Sequence, residues 1–129
     1  MATITKHIPI ATDVDSAWAA LRDVGNPHHV FAPVLTDARL EGDSRVVTFA
    51  NGMVVRERIV TLDDDARRLA YTVEDGPFTH HHASFTVAEG PGGTCTVTWV
   101  SDLLPDDVAP MVEGLMAEGA AALAVTLGC

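Results

Sequence analysis

SRVVTFANGMVVRERIVTL, residues 44–62, is the stretch that decides the fold of this chain. Apolar and β-branched residues recur on both sides of Asn51-Gly52, the dipeptide with the strongest signal for a two-residue hairpin turn. In a strand, successive side chains point to opposite faces of the sheet. The stretch therefore predicts two antiparallel strands, at residues 44–50 and 53–62, joined by a tight turn.

The same strand pattern continues on both sides of this hairpin. Four more strands are predicted at residues 34–41, 67–74, 79–88 and 94–102, and another precedes them at Ala2–Ile10. The six strands between residues 34 and 102 are linked by short polar or glycine-containing turns, which are too short for the crossovers that parallel strands need. These strands therefore form an antiparallel meander.

Two short helical segments separate the first two strands. In the first, four apolar residues repeat at helical spacing: Val14, Ala17, Trp18 and Leu21. Thr12 or Asp13 can cap its start, and Gly25 is expected to end it in the left-handed conformation. Residues 26–33 carry prolines near both ends and hold only a short helical turn.

A long helix is predicted at the C-terminal end of the chain, with Asp106 and Asp107 as its cap. Gly114 and Gly119 lie inside this helix, where a glycine either allows close backbone contact or leaves space. One apolar face is built from residues at helical spacing: Val108, Met111, Val112, Leu115, Met116, Leu123 and Leu127.

Composition limits the classes of function. The 129 residues fit one domain, residues 1–129, and the net charge of −10 leaves no basic stripe for nucleic acid or an anionic membrane. No apolar run reaches the length of a membrane span, and the first residues lack a signal-peptide pattern. We expect a cytoplasmic protein with no membrane insertion, in which Cys95 and Cys129 are reduced thiols.

Six short motifs carry a family resemblance: IPIA at 8–11, VDSAW at 14–18, LRD at 21–23, VVRERI at 54–59, RLAY at 68–71 and TVTW at 96–99. With them the sequence resembles the START/Bet v 1-like (SRPBCC) superfamily, and within it the polyketide cyclase/dehydrase and lipid-transport group. The resemblance covers nearly the whole chain. It implies an α+β helix-grip fold, in which a seven-stranded antiparallel sheet wraps around the long C-terminal helix.

The resemblance also implies an internal cavity between sheet and helix for a small hydrophobic or amphipathic ligand, lipid or polyketide-like. Members often carry a tryptophan in the short second helix, where this chain has Phe31. No cofactor is expected, because no phosphate loop, nucleophile elbow or dinucleotide motif occurs. Twelve residues are predicted to line the cavity: Phe31, Met53, Val55, Glu57, Tyr71, Phe78, His81, Phe85, Trp99, Met111, Leu115 and Met116.

Three polar residues on the apolar face of the sheet are candidates for chemistry. Strand alternation turns Glu57 inward between Val55 and Ile59, either paired within the sheet or serving as a polar anchor or proton-transfer group. His81 falls on the apolar face either as a cavity residue or as core. Tyr71 is either core or a hydrogen-bond donor to a ligand.

The histidine and aspartate clusters in other parts of the sequence are not predicted to bind a metal. His80 and His82 point outward and lack the third or fourth ligand of a metal site, so no metal is expected. His28 and His29 are predicted to be exposed, with the mouth of the cavity as the alternative. The carboxylates at 63–65 form a solvated turn, because the spaced ligands of a calcium loop are missing.

Three functions remain open at this point. The chain is a binding protein for the ligand described above, a polyketide cyclase/dehydratase-type enzyme using Glu57 or His81, or a protein-interaction module; its oligomeric state is open. The turns at 50–52 and 75–78 are expected to flank the cavity mouth, with Phe78 either covering a ligand or capping the sheet edge.

Overall fold

The computed structural model describes residues 1–128, and Cys129 lies outside them. Seven strands, three α-helices and two 3-10 turns, at Pro91–Gly93 and Asp106–Val108, make up the described chain. In chain order the strands and α-helices are β1 (Ala2–Ile10), α1 (Val14–Arg22), α2 (Pro27–Val30), β2 (Leu35–Glu41), β3 (Ser44–Phe49), β4 (Val54–Asp63), β5 (Arg68–Val73), β6 (His80–Glu89), β7 (Cys95–Leu104) and α3 (Ala109–Gly128).

The strands form one antiparallel sheet in the order β1-β7-β6-β5-β4-β3-β2. The six later strands are a meander, as their short turns predicted, and β1 joins the sheet by pairing with β7. Together with α3 and the two short helices between β1 and β2, this confirms the predicted helix-grip architecture.

Helix α1 follows the prediction at its start and departs from it at its end. Asp13 is the cap, since its carboxylate accepts a hydrogen bond from the Ser16 amide at 2.7 Å. The helix ends at Arg22, and Gly25 does not adopt the predicted left-handed conformation. The glycine serves close packing instead: a Cβ at Gly25 would lie 3.2 Å from the side chain of Leu40.

A polar contact fixes α1 to the turn between β4 and β5. Asp64 accepts hydrogen bonds from Trp18 Nε1 at 2.9 Å and from Arg22 Nε at 2.7 Å. The carboxylate of Asp63 accepts from the Ala66 amide at 3.0 Å, which closes the turn. The three aspartates of this turn thus face solvent, and Asp64 also holds the indole of Trp18, a residue of α1.

The apolar face of α3 packs against the sheet, and its opposite face is open to solvent. Val112, Met116 and Leu123 are buried, whereas Val125 on the opposite face is 65% exposed. Asp106–Gly128 is long and apolar enough to cross a membrane by length and composition alone. Within residues 1–128 the buried residues of this helix pack against the sheet.

The two glycines inside α3 have opposite surroundings. A Cβ at Gly114 would meet no atom within 4 Å, so this position faces open space. A Cβ at Gly119 would lie 3.0 Å from Trp99 Cζ3 and 3.1 Å from Cη2. Gly119 therefore permits the helix backbone to rest directly on the indole ring.

Candidate functional site

A cavity of ≈ 200 Å³ lies between the inner face of the sheet and α3. All twelve residues predicted to line it do so: Phe31, Met53, Val55, Glu57, Tyr71, Phe78, His81, Phe85, Trp99, Met111, Leu115 and Met116. The cavity collects these residues from α2, from strands β4 to β7 with their flanking turns, and from α3.

An arginine that sequence reasoning missed lies at the floor of the cavity. The side chain of Arg45 is only 5% exposed, and its Nε donates to Glu57 Oε1 at 2.8 Å. Arg45 and Glu57 are direct partners across the β3–β4 hairpin, on the same face of the sheet. Counting outward from a two-residue turn at Asn51-Gly52 would pair Arg45 with Arg58 instead; the loop between Phe49 and Met53 has three residues, and this shift of one position places Arg45 opposite Glu57. Glu57 is therefore a paired carboxylate, as one of the two alternatives predicted, and it also lines the cavity.

Tyr71 connects the ion pair to the aromatic wall. The guanidinium carbon of Arg45 lies 5.3 Å from the centre of its ring, a cation–π distance. The Tyr71 hydroxyl accepts a hydrogen bond from Trp99 Nε1 at 3.2 Å. Burial raises the pKa of the phenol, and the nearby Glu57 carboxylate raises this pKa further.

The raised pKa of Tyr71 gives a direct prediction, because this is the only tyrosine in the chain. Phenolate absorbance should not develop when the folded protein is taken to about one pH unit above the ordinary value near 10. In urea the same phenol should titrate near that ordinary value. A midpoint near 10 in protein that circular dichroism shows to be folded would contradict the burial argument.

His81 is held in one tautomer by the sheet. Its Nδ1 accepts a hydrogen bond from the Val73 amide at 3.1 Å, so the proton of the neutral ring is assigned to Nε2. The side chain is buried, and its ring lies 4.8 Å from the ring of Phe78. Burial, together with the smaller effects of the neighbouring His82 and His80, lowers the pKa of His81 to about 4.

The lowered pKa of His81 predicts a pH-dependent stability. The unfolded chain takes up a proton near ~6.5 and the folded chain only near 4, so the free energy of unfolding should fall as the pH drops through this window. The full effect is on the order of 3 kcal/mol. Urea unfolding of wild type and His81→Asn, which keeps an acceptor for the Val73 amide, isolates this contribution from the carboxylates. Parallel pH curves for the two proteins would contradict it.

Aromatic rings form one wall of the cavity. Phe85 stacks on Trp99 with ring centres 4.7 Å apart, and Phe31 lies 5.7 Å from both. Phe31, at the end of α2, thus occupies the wall position for which the family resemblance implied a tryptophan. Phe78, in the turn before β6, lies over His81 at the rim beside Asp75, so the turn at 75–78 borders the cavity as expected.

The histidines outside the cavity differ from expectation at one position. His29 is exposed as predicted, but His28 is half-buried and its Nδ1 is enclosed without a partner within residues 1–128. Neither ring lines the cavity, so the alternative of a place at its mouth is wrong. His28 instead packs on His29, with ring centres 4.4 Å apart. The two residues are adjacent in the short helix α2, where the side chain of His28 turns inward and that of His29 stays exposed.

No group of three or more histidine, cysteine, aspartate or glutamate side chains is placed to hold a metal ion in the described part of the chain. His80 faces solvent and His82 is half-buried on the outer face of β6. Cys95 is a free, buried thiol whose pKa burial raises, so it is suited to packing rather than to reactivity. The polar side chains that line the cavity are Arg45, Glu57, Tyr71, Asp75, His81 and Ser101.

Comparison with known proteins agrees with this arrangement. A family model described as "Polyketide cyclase / dehydrase and lipid transport" matches residues 1–128. No curated protein matches the sequence. Among solved structures, XoxI from Bacillus cereus is 21% identical, with 98% of this chain and 96% of that chain covered and a TM-score of 0.89.

Two further solved structures share the fold. The di-domain ARO/CYC BexL from the BE-7585A biosynthetic pathway is 16% identical, with 98% of this chain and 46% of that chain covered and a TM-score of 0.84. Norcoclaurine synthase from Thalictrum flavum, in complex with dopamine and hydroxybenzaldehyde, is 18% identical, with 96% and 84% covered and a TM-score of 0.75. At these identities the likeness establishes the fold alone.

Proposed function

We propose, starting from the fact that this chain belongs to the polyketide cyclase / dehydrase and lipid transport family, that it binds a small hydrophobic or amphipathic organic molecule in the cavity between sheet and α3. The ligand would be lipid-like or polyketide-like, and binding would proceed without chemistry. The same proposal places a single domain in the cytoplasm. The observation that carries it is the ≈ 200 Å³ apolar cavity with a few inward-facing polar side chains, which is how ligand sites are built.

The state of the polar groups favours binding over catalysis. A general base works best with a pKa near the operating pH, whereas the pKa of His81 is lowered to about 4. The Glu57 carboxylate is engaged by Arg45 at 2.8 Å, and the raised pKa of Tyr71 keeps the phenol protonated. These groups are suited to orient a ligand by hydrogen bonds at neutral pH.

The proposal is tested by a ligand screen read out as a shift in melting temperature, using lipids, polyketides and aromatic metabolites. The control is a pair of tryptophan substitutions on α3. Leu115→Trp fills the cavity and should abolish every stabilising shift, whereas Val125→Trp, on the 65% exposed back of the helix, should retain them. Equal shifts in the two variants would place the binding elsewhere and refute the proposal.

A cyclase or dehydratase activity is the second candidate, favoured by one observation. Glu57, Tyr71 and His81 line the same cavity and bring a carboxylate, a phenol and an imidazole to one enclosed volume. Such an enzyme would mainly orient a flexible carbonyl substrate, with one of these groups moving a proton. Full turnover of an identified substrate by both Glu57→Gln and His81→Ala would exclude these roles.

A further inference from the structure

Among the polar side chains that line the cavity, His81 and Tyr71 are neutral ring systems that each keep a hydrogen-bond donor without an acceptor among residues 1–128. His81 uses Nδ1 to accept from the Val73 amide, which leaves the proton on Nε2, and Nε2 makes no hydrogen bond within residues 1–128. The Tyr71 hydroxyl accepts from Trp99, so its own hydrogen is free to be donated and likewise finds no acceptor among these residues. Both side chains line the cavity, and both are neutral at physiological pH.

Unused donors in an apolar enclosure set a chemical requirement for a ligand. A buried N–H or O–H without an acceptor costs about 1–3 kcal/mol, so a ligand that supplies an oxygen acceptor is favoured over an isostere that does not. Sites of this kind discriminate strongly, because the wrong ligand leaves the polar groups of the protein unpaired. The cavity therefore prefers a molecule with acceptor oxygen over a pure hydrocarbon.

The two buried charges in the cavity cancel, and the third charged lining residue, Asp75, is exposed in the turn at 75–78, where solvent screens it. Arg45 and Glu57, with side chains only 5% and 12% exposed, neutralise each other at 2.8 Å. An anionic ligand would have to compete with Glu57 for the guanidinium or be buried without a counter-ion, and either route carries a large desolvation cost. A cationic ligand meets the same obstacle at Glu57. The preferred ligand is therefore uncharged.

Size and wall composition narrow the class further. An apolar cavity of about 150 Å³ accommodates benzene, so ≈ 200 Å³ suits one or two fused rings and is too small to enclose the acyl chains of a membrane lipid. The stacked rings of Phe85 and Trp99, with Phe31 beside them, present a flat surface. Met53 and Met116 supply polarisable thioethers that favour contact with an aromatic ring.

We infer that the cavity selects an uncharged aromatic compound of one or two rings, whose carbonyl oxygen accepts a hydrogen bond from Tyr71 Oη–H or His81 Nε2–H. This inference rests on the proposed function and narrows it. It excludes free fatty acids, membrane lipids and aromatic carboxylates as preferred ligands. It assigns Tyr71 and His81 as residues that determine specificity, independently of any catalysis.

Three naphthalene derivatives test the inference by isothermal titration calorimetry. 2-Acetylnaphthalene carries the carbonyl, 2-isopropenylnaphthalene replaces C=O by the isosteric C=CH₂, and 2-naphthoate adds a negative charge. We expect the ketone to bind roughly tenfold more tightly than the alkene, as one net hydrogen bond of about 1.4 kcal/mol implies. The carboxylate should bind more weakly than the ketone.

Matched variants assign this preference to its donors. Tyr71→Phe removes the hydroxyl, and His81→Asn keeps an acceptor for the Val73 amide while removing Nε2–H. At least one of the two should reduce the ketone-to-alkene ratio about fivefold or more, whereas His82→Asn, on the outer face of the same strand, should leave it unchanged. Circular dichroism and the melting temperature verify that each variant is folded.

The outcomes separate the inference from the proposed function. Equal affinity for ketone and alkene, or an unchanged ratio in both Tyr71→Phe and His81→Asn, overturns the inference while the cavity remains a binding site. Tight binding of a long-chain fatty acid, lost in Leu115→Trp, would likewise overturn the inference and keep the proposed function. If neither these probes nor the wider screen gives binding that is lost in Leu115→Trp, the proposed function itself fails.

Discussion

Replacing Arg45 with methionine is expected to lower the free energy of unfolding by about 3–5 kcal/mol. Methionine replaces the apolar stem of arginine but removes the guanidinium, and with it the charge that faces Glu57 at 2.8 Å. The carboxylate, only 12% exposed, is then left in an apolar cavity without a counter-ion. The substitution also removes the guanidinium from the ring of Tyr71. Urea unfolding of the purified variant measures the loss.

The control for this prediction is an ion pair of the same kind on the outer face. Arg56 donates to Glu41 at 2.6 Å, but the two side chains are 43% and 39% exposed. Arg56→Met should therefore cost less than about 1 kcal/mol. Adding Glu57→Met to Arg45→Met should recover much of the stability, because the unpaired charge disappears with its carrier. Similar losses of unfolding free energy in Arg45→Met and Arg56→Met would contradict the prediction, because the buried charge of Glu57 would then cost no more than an exposed one.

The two glycines of α3 should respond in opposite directions to alanine. Gly114→Ala is expected to stabilise the protein by up to about 1 kcal/mol, since alanine is the better helix former and its Cβ meets no atom within 4 Å. Gly119→Ala gains the same propensity but places a methyl group 3.0 Å from the ring of Trp99. Trp99 stacks on Phe85 and has little room to retreat, so overpacking should cost about 1–3 kcal/mol.

Thermal and urea unfolding of the two alanine variants decide this prediction. The stabilities should differ by about 2 kcal/mol, with Gly114→Ala the more stable. Ligand binding supplies a second readout, because a shift of α3 away from Trp99 changes the cavity wall while Gly114→Ala leaves it intact. If Gly119→Ala were as stabilising as Gly114→Ala, the close contact of the helix with the indole would be wrong.

The fold could be predicted because its signals are local. Alternation along β3 and β4, with Asn51-Gly52 between them, determines a hairpin without reference to the rest of the chain. The same alternation assigned the inner faces, which is why residues such as Val55, Tyr71 and Phe85 were correctly placed around the cavity. A side chain in a strand points to one of the two faces of the sheet. Once the apolar face is buried, the direction of every side chain in that strand is therefore determined.

What could not be predicted depends on distances between elements. Arg45 was overlooked because a charged residue in a strand is usually outward-facing, and only its pairing with Glu57 makes burial affordable. Gly25 was assigned to a helix cap, whereas Leu40 of a distant strand explains it. The direction of the Trp99 Nε1–H toward Tyr71 links β7 to β5 across β6, and no sequence pattern encodes that contact.

The pairing of β1 with β7 has a consequence for how the chain reaches its fold. Ala2 lies opposite Leu103 and Ile10 opposite Cys95, so the first strand finds its partner only after every other strand has been made. Contacts between positions so far apart in the sequence form late, and they slow folding because a large loop must close before they contribute. During synthesis the meander from β2 to β6 can assemble hairpin by hairpin, while residues 1–10 remain without their partner strand. Chaperones and proteases therefore have their longest access to this segment.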